Sequence, residues 1–227
     1  TKSEYEGNTH TKGLAMLGIT HKPNKELSIQ FWHLYTENIF NASFIQAEYE
    51  KELTNKHKLS AGIQLFQQNR IGEGGNEEEA KRYMQDKSSF AFGSKIGWEY
   101  KSWKTSFNFN RITAQGRYTM PREWGRDPFY TFMARERNEG LADVYAYVLR
   151  VGRGFPKQRI TANVAVGHFN LPSVYDFASN KYGLPSYNQM NIDLRYNFKG
   201  MLTGLESQLL FVYKSHFRCD FFNTRNF

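Results

Sequence analysis

Between Asn188 and Tyr213 apolar and polar side chains alternate residue by residue. Met190, Ile192, Leu194, Tyr196 and Phe198 fall on one parity, and Asn191, Asp193, Arg195 and Asn197 fall on the other. That is the period of an extended strand with one apolar and one charged face. After Lys199, Gly200, Thr203 and Gly204, a return run from Glu206 to Lys214 sets Leu209, Phe211 and Tyr213 against Gln208. The unit is a hairpin of two long strands. Its apolar face mixes aliphatic centres with aromatic ends, which suits lipid and its two interfaces, whereas the inner face of a soluble sandwich is built mainly of Val, Ile and Leu.

The same logic runs through the chain. Leu14 to His21 reads as a strand ended by the turn Lys22-Pro23-Asn24-Lys25, and Leu27, Ile29 and Phe31 alternate with Ser28 and Gln30 in the next. A third strand is expected from Ala42 to Tyr49. After the turn Thr54-Asn55-Lys56, a fourth places Leu59, Ala61, Ile63 and Leu65 opposite Ser60, Gly62, Gln64 and Gln68. Phe90, Phe92, Ile96, Trp98 and Tyr100 face away from Gly93, Lys95, Gly97 and Glu99. A two-residue turn at Lys101-Ser102 returns the chain through Trp103, Thr105, Phe107 and Phe109, opposite Lys104, Ser106, Asn108 and Asn110. Further strands are expected at Asp143 to Val151 and Ile160 to Phe169, joined by Gly152 to Gln158.

The connections sort by length. Tight turns alternate with long polar segments at about residues 71–88, 113–142 and 170–187, the pattern of an outer-membrane barrel with short periplasmic turns and long extracellular loops. The expectation is an all-β fold, an antiparallel transmembrane β-barrel of the outer-membrane type with about ten strands, in a single domain over residues 1–227. An eleventh strand is a candidate in Arg218 to Phe227. A soluble β-sandwich or ligand-binding β-barrel is the alternative architecture.

Composition and the chain's ends refine this picture. Aromatic residues make up 16% of the 227 positions, with 14 Tyr and 19 Phe, as aromatic girdles at two membrane interfaces require. No apolar run approaches the ~18 residues of a membrane helix. The net charge of +8 is scattered through strands and loops without a basic helix or recognisable module, so no nucleic-acid partner is expected. The single Cys219 excludes a disulfide framework and multi-thiol zinc spacings. Thr1 to Lys12 has neither the basic nor the apolar part of a secretory signal. Leu14 opens a strand that needs a partner on its other edge, so the chain is expected to be a piece lacking its amino-terminal part.

If one parity meets lipid, the other lines a lumen. It carries Gln64, Gln68, Lys95, Glu99, Lys104, Asn108, Asn110, Thr161, Asn163, Asp193 and Arg195, which describe a polar, hydrated interior. Lys95, Lys104 and Arg195 form a candidate positive track for anionic solutes with Glu99 and Asp193 as counter-charges. Alternatively these ions neutralise one another across neighbouring strands. Arg117, Arg122 and Arg126, among Tyr118, Trp124 and Tyr130, either fold inward to constrict the pore, where guanidinium forks bind carboxylates, or stay outside against anionic lipid headgroups and water. No nucleophile elbow, H-E-x-x-H helix or phosphate loop is present. His168, beside Asp176 near a strand end, is the one rim group to watch for acid-base work. An outer-membrane enzyme with a rim site is therefore the rival function.

Tyr187 to Phe198, followed by Lys199 to Leu205, is similar to the late strand, aromatic end and short Gly-Leu turn of the OprD-type family of substrate-specific outer-membrane porins. Ser89 to Asn110 resembles the preceding Trp- and Phe-rich hairpin, and the order of hairpins and long loops agrees from about Lys58 to Lys214. The resemblance implies a carboxy-terminal portion of an eighteen-stranded barrel in the outer membrane of a Gram-negative bacterium. It also implies passive passage of small hydrophilic solutes, with a basic ladder selecting carboxylates. Arg195 matches a basic position of that ladder; Lys95 and Lys104 match only its lumen-facing parity. The implied partners are outer-membrane lipid, lipopolysaccharide and the solutes themselves, and no cofactor or metal is implied.

Overall fold

Ten strands follow the alternation just described: β1 (Leu14–His21), β2 (Leu27–Thr36), β3 (Phe40–Glu52), β4 (His57–Arg70), β5 (Ser88–Tyr100), β6 (Trp103–Ile112), β7 (Val144–Phe155), β8 (Ile160–Asn170), β9 (Tyr187–Asn197) and β10 (Glu206–His216). They form one antiparallel sheet in sequential order, with β1 and β10 at its two edges. The computed structural model describes residues 9–53, 56–121 and 125–216. Turn residues Thr54 and Asn55, loop residues Arg122 and Trp124, and the segment Arg218 to Phe227 with its candidate strand lie outside the described residues.

Strand existence follows the sequence pattern closely, and strand length does not. β3 extends from Phe40 to Glu52, beyond both ends of the expected Ala42 to Tyr49, because its whole length has a partner in β4, from Phe40↔Arg70 to Glu52↔Lys58. β7 runs on to Phe155, where a turn had been expected from Gly152. Gly152 reads as a loop residue in sequence but stands in a strand opposite Asn163, whose Oδ1 would lie 2.6 Å from a Cβ at that position. Glycine is there to admit a neighbour's side chain.

The two faces differ as the alternation requires. On the outward parity Ile63, Ile96 and Phe107 are 57%, 68% and 51% exposed, which identifies that face as one that meets an apolar medium. The concave face holds the buried cluster of the molecule. Phe40, Phe44 and Phe66 from β3 and β4, and Val144, Val148 and Phe169 from β7 and β8, enclose Tyr118, Phe129 and Met133 of the segment between β6 and β7. Rings of Phe66, Tyr118 and Phe129 meet at centroid distances of 5.0 to 6.2 Å. The core therefore lies inside the curve of the sheet, made jointly by strands and one folded loop.

For the half nearer the long loops, that arrangement corrects the expectation of a polar, hydrated interior. The half nearer the long loops is filled by the folded loop, with apolar rings and hydrogen-bonded polar side chains together, while charged residues gather nearer the short turns. Gln64, Gln68, Asn108 and Asn110 are buried. Periodicity of two states only which side a residue faces, not what lies opposite it.

Candidate functional site

The loop of residues 113–143 enters the concave side and is fastened there by side chains of four strands. The Gln68 carboxamide bonds Thr119 twice, Nε2 donating to its carbonyl at 2.6 Å and Oε1 accepting from its N–H at 3.0 Å. Four residues along the same face of β4, Gln64 Nε2 donates to the Pro128 carbonyl at 2.8 Å and its Oε1 accepts from Tyr130 N–H at 3.1 Å. From β7, the Arg150 guanidinium donates to the carbonyls of Tyr130 and Phe132. From β9, Gln189 Nε2 donates to the Ala134 carbonyl at 2.7 Å, and from β10, Lys214 Nζ donates to the Arg135 carbonyl at 2.7 Å. Buried peptide groups need partners, and here the wall of the sheet supplies them. Tyr130 lies over Gly62, whose missing side chain makes room for the ring, and Lys95 Nζ lies 4.7 Å from the ring centroid.

Within the loop, Asp127, Glu136 and Asn138 form a closed knot. Asn138 Nδ2 donates to Asp127 Oδ2 at 2.9 Å and to Glu136 Oε1 at 2.8 Å, while Glu136 Oε2 accepts from Met133 N–H at 2.7 Å. Burial pushes the Glu136 carboxyl up to about 8, with repulsion from Asp127 adding to it, and burial likewise raises the Asp127 carboxyl, with repulsion from Glu139 adding to it.

Between this loop and the short-turn end of the sheet lies a cavity of about 810 Å³. Its wall carries six basic side chains, Lys95, Lys104, Arg126, Arg135, Arg150 and Arg195, against three acidic ones, Glu50, Glu99 and Asp193. All five strand residues expected on the lumenal face, Lys95, Glu99, Lys104, Asp193 and Arg195, line it. Three of the four strand cations are compensated: Lys95 by Glu48 at 2.6 Å, Lys104 by Glu99 at 3.2 Å, and Arg195 by Asp193 at 3.1 Å and Glu206 at 3.4 Å. Arg126, Arg135 and Arg150 have no carboxylate partner among the described residues.

The loop arginines separate. Arg126 lines the cavity. Arg117 pairs with Asp86 at 3.6 Å and donates to Gln85, both in the loop of residues 71–87, away from the cavity wall. Arg122 is outside the described residues. Arg135 and Arg150 were missed as site residues. Arg150 stands on the same parity as Val148 and Gly152, the one charged residue on the inward parity of its strand, a signal that was legible. Arg135 has a backbone φ of +69°, and its approach to the cavity depends on how the loop folds. His168 stands on the outward parity of β8 and shares a 2.9 Å hydrogen bond with Asn188 Oδ1. The Asp176 carboxylate accepts from Ser179 N–H in its own turn.

The model of the family described as outer membrane porin, OprD family, matches residues 1–123. That stretch contains the Ser89 to Asn110 hairpin and ends before Tyr187 to Leu205, the strand and turn that carry most of the resemblance seen in sequence. A search of curated protein sequences finds no match. Among solved structures, OccK8 (OprE) of Pseudomonas aeruginosa superposes with a TM-score of 0.73 at 14% identity, covering 89% of this chain and 54% of its own. OccAB4 of Acinetobacter baumannii gives 0.73 at 14% identity over 90% of this chain and 49% of its own. P. aeruginosa OpdK, solved with vanillate, gives 0.72 at 15% identity over 92% and 54%. The chain spans about half the length of these structures, so the open sheet corresponds to part of a barrel. With more than half its length matched by the family model and its ten strands laid out as in those barrels, the chain belongs to the OprD family of outer membrane porins.

Proposed function

We propose that this chain supplies wall and constriction to a channel through which small hydrophilic solutes, those bearing a carboxylate in particular, diffuse passively across the outer membrane. The observation that carries the reading is the basic cavity beneath the inward loop. Its cationic excess comes from Arg126, Arg135 and Arg150, which lack carboxylate partners among the described residues, rather than from the paired strand cations. A carboxylate entering this space replaces its water by guanidinium N–H donors in a fork geometry. The acids Glu50, Glu99 and Asp193 on the same wall keep each stop shallow enough for release. The vanillate of the OpdK structure is an aromatic carboxylate, and a solute of that size fits a cavity of about 810 Å³.

The test is single-channel conductance of the protein that carries this chain, in planar bilayers, with vanillate and with a neutral sugar of similar size. Current that vanillate blocks and the sugar does not, with block weakened about threefold or more in R126Q/R135Q, supports the reading. Block unchanged in that variant removes the loop arginines from the binding step. An inserted, folded protein that passes no current overturns the channel itself.

A further inference from the structure

Two arginines stand on the outward, lipid-side parity of the described strands, one near each rim, and they are built differently. Arg111, at the long-loop end of β6, is complete: it pairs with Asp143, donates to the carbonyls of Ile112 at 2.6 Å and Val144 at 3.2 Å, and lies 3.9 Å over the Tyr145 ring. Arg153, at the short-turn end of β7, has its guanidinium 4.6 Å from the Trp103 ring and 4.7 Å from the Phe155 ring, and among the described residues no carboxylate or hydrogen-bond acceptor reaches it. Its neighbour in register on the far side is the small Ala162, while Trp103 is directly opposite on the near side. The guanidinium is placed beside two rings, with none of its N–H groups taken by an acceptor among the described residues.

The surroundings share the sign of that charge. The three short turns that join β5 to β6, β7 to β8 and β9 to β10 along this rim, Lys101-Ser102, residues 156–159 and residues 198–205, contain Lys101, Lys157, Arg159 and Lys199 and no Asp or Glu. They are adjacent in space because β5 to β10 pair in sequence. Lys101 and Arg159 again lie over rings, 4.8 Å from Tyr100 and 5.9 Å from Tyr196. Toward the membrane centre from Arg153 the outward face turns apolar, with Leu149 and Phe107 exposed.

We propose that this rim is a binding site for an anionic glycerophospholipid of the leaflet on the short-turn side. The phosphodiester takes the two free N–H edges of Arg153, Lys101 and Arg159 flank it, and the acyl chains run over Leu149 and Phe107. An arginine on a lipid-side face is costly without a counter-charge. Arg111 obtains one from Asp143, and Arg153 obtains one from the lipid. A guanidinium set close to aromatic rings keeps a bidentate donor pair suited to a phosphate. The site rests on the outer-membrane setting of the family and not on the channel reading, so conductance and lipid retention fail separately.

Native mass spectrometry of the protein released from detergent micelles, with phosphatidylglycerol or phosphatidylcholine added, tests this. Wild-type protein retaining phosphatidylglycerol in preference to phosphatidylcholine, with that preference reduced roughly fivefold or more in R153Q and unchanged in R111Q, supports the site. Equal retention of the two lipids by the wild type, or equal retention of phosphatidylglycerol by wild type and R153Q, overturns it. Heat-modifiable electrophoretic mobility reports folding of each variant. Should R153Q not fold, R153K and a salt series on the wild type take its place. Retention that R153K weakens and that falls between about 0.05 M and 0.5 M salt supports the site, and retention indifferent to both overturns it.

Discussion

Gln68 and Thr119 bond each other as two neighbouring strands would, the carboxamide of one standing in for a peptide group opposite the backbone of the other. The pair joins residues 51 apart in sequence and is fully enclosed. Removing the carboxamide strands both a buried N–H and a buried C=O, each of which costs about 1–3 kcal/mol. Q68A is therefore expected to leave the barrel folded and loosen the loop of residues 113–143. Limited trypsin digestion in micelles checks this: cleavage at the loop arginines speeds up in Q68A, and Q68L behaves alike because it refills volume without restoring the bonds.

Arg150 holds the same loop from the opposite wall through the carbonyls of Tyr130 and Phe132. It also contributes charge to the cavity. R150A is expected to raise single-channel conductance and lower anion preference together, whereas R150K keeps the charge, loses the fork, and recovers more of the preference than of the conductance. A variant pair that moves both quantities equally would separate neither role.

Gly62 is small because Tyr130 lies on it. G62A is expected to displace the ring, at a cost of about 1–3 kcal/mol for an overpacked site, and to widen conductance. Shortening the intruding side chain in G62A/Y130A restores room for the Ala methyl, so the double variant should be more resistant to trypsin within the loop than G62A. Greater sensitivity of the double variant would place the strain elsewhere.

The Asp127, Asn138 and Glu136 knot makes the loop pH-dependent. Glu136 is an acid whose folded pKa, about 8, exceeds its ordinary value of 4.5. The folded loop therefore binds the proton more tightly than the unfolded one. Support for the inward position is fully present below pH 4.5, declines by about 1.4 kcal/mol per pH unit as the pH rises toward about 8, and then levels off. Openings of the constriction in single-channel records should become more frequent over that interval. E136Q, which keeps a neutral side chain at every pH, should flatten the dependence.

Much of this molecule is written in the order of its residues. The alternation of Leu59, Ala61, Ile63 and Leu65 with Ser60, Gly62 and Gln64 states the strand and its two faces, because successive side chains of an extended chain point to opposite sides. The tight turn at Lys101-Ser102 and the long polar segments between hairpins state the order of the sheet and the two unlike rims. Lys95, Glu99, Lys104, Asp193 and Arg195 could be assigned to one wall from parity alone. What parity does not contain is the space opposite that wall. Whether Gln64 meets water or Tyr130, whether Arg117 turns to the cavity or to Asp86, and whether Arg135 becomes part of the site all depend on where the loop of residues 113–143 comes to rest. Contacts between residues 50 or more apart in the chain decide that, from Gln64 to Tyr130 and from Gln189 to Ala134. The sequence determined the sheet because its rules are local; the tertiary structure decided the inward position of the loop because burying the loop's apolar side chains and pairing its peptide groups requires the whole concave wall at once.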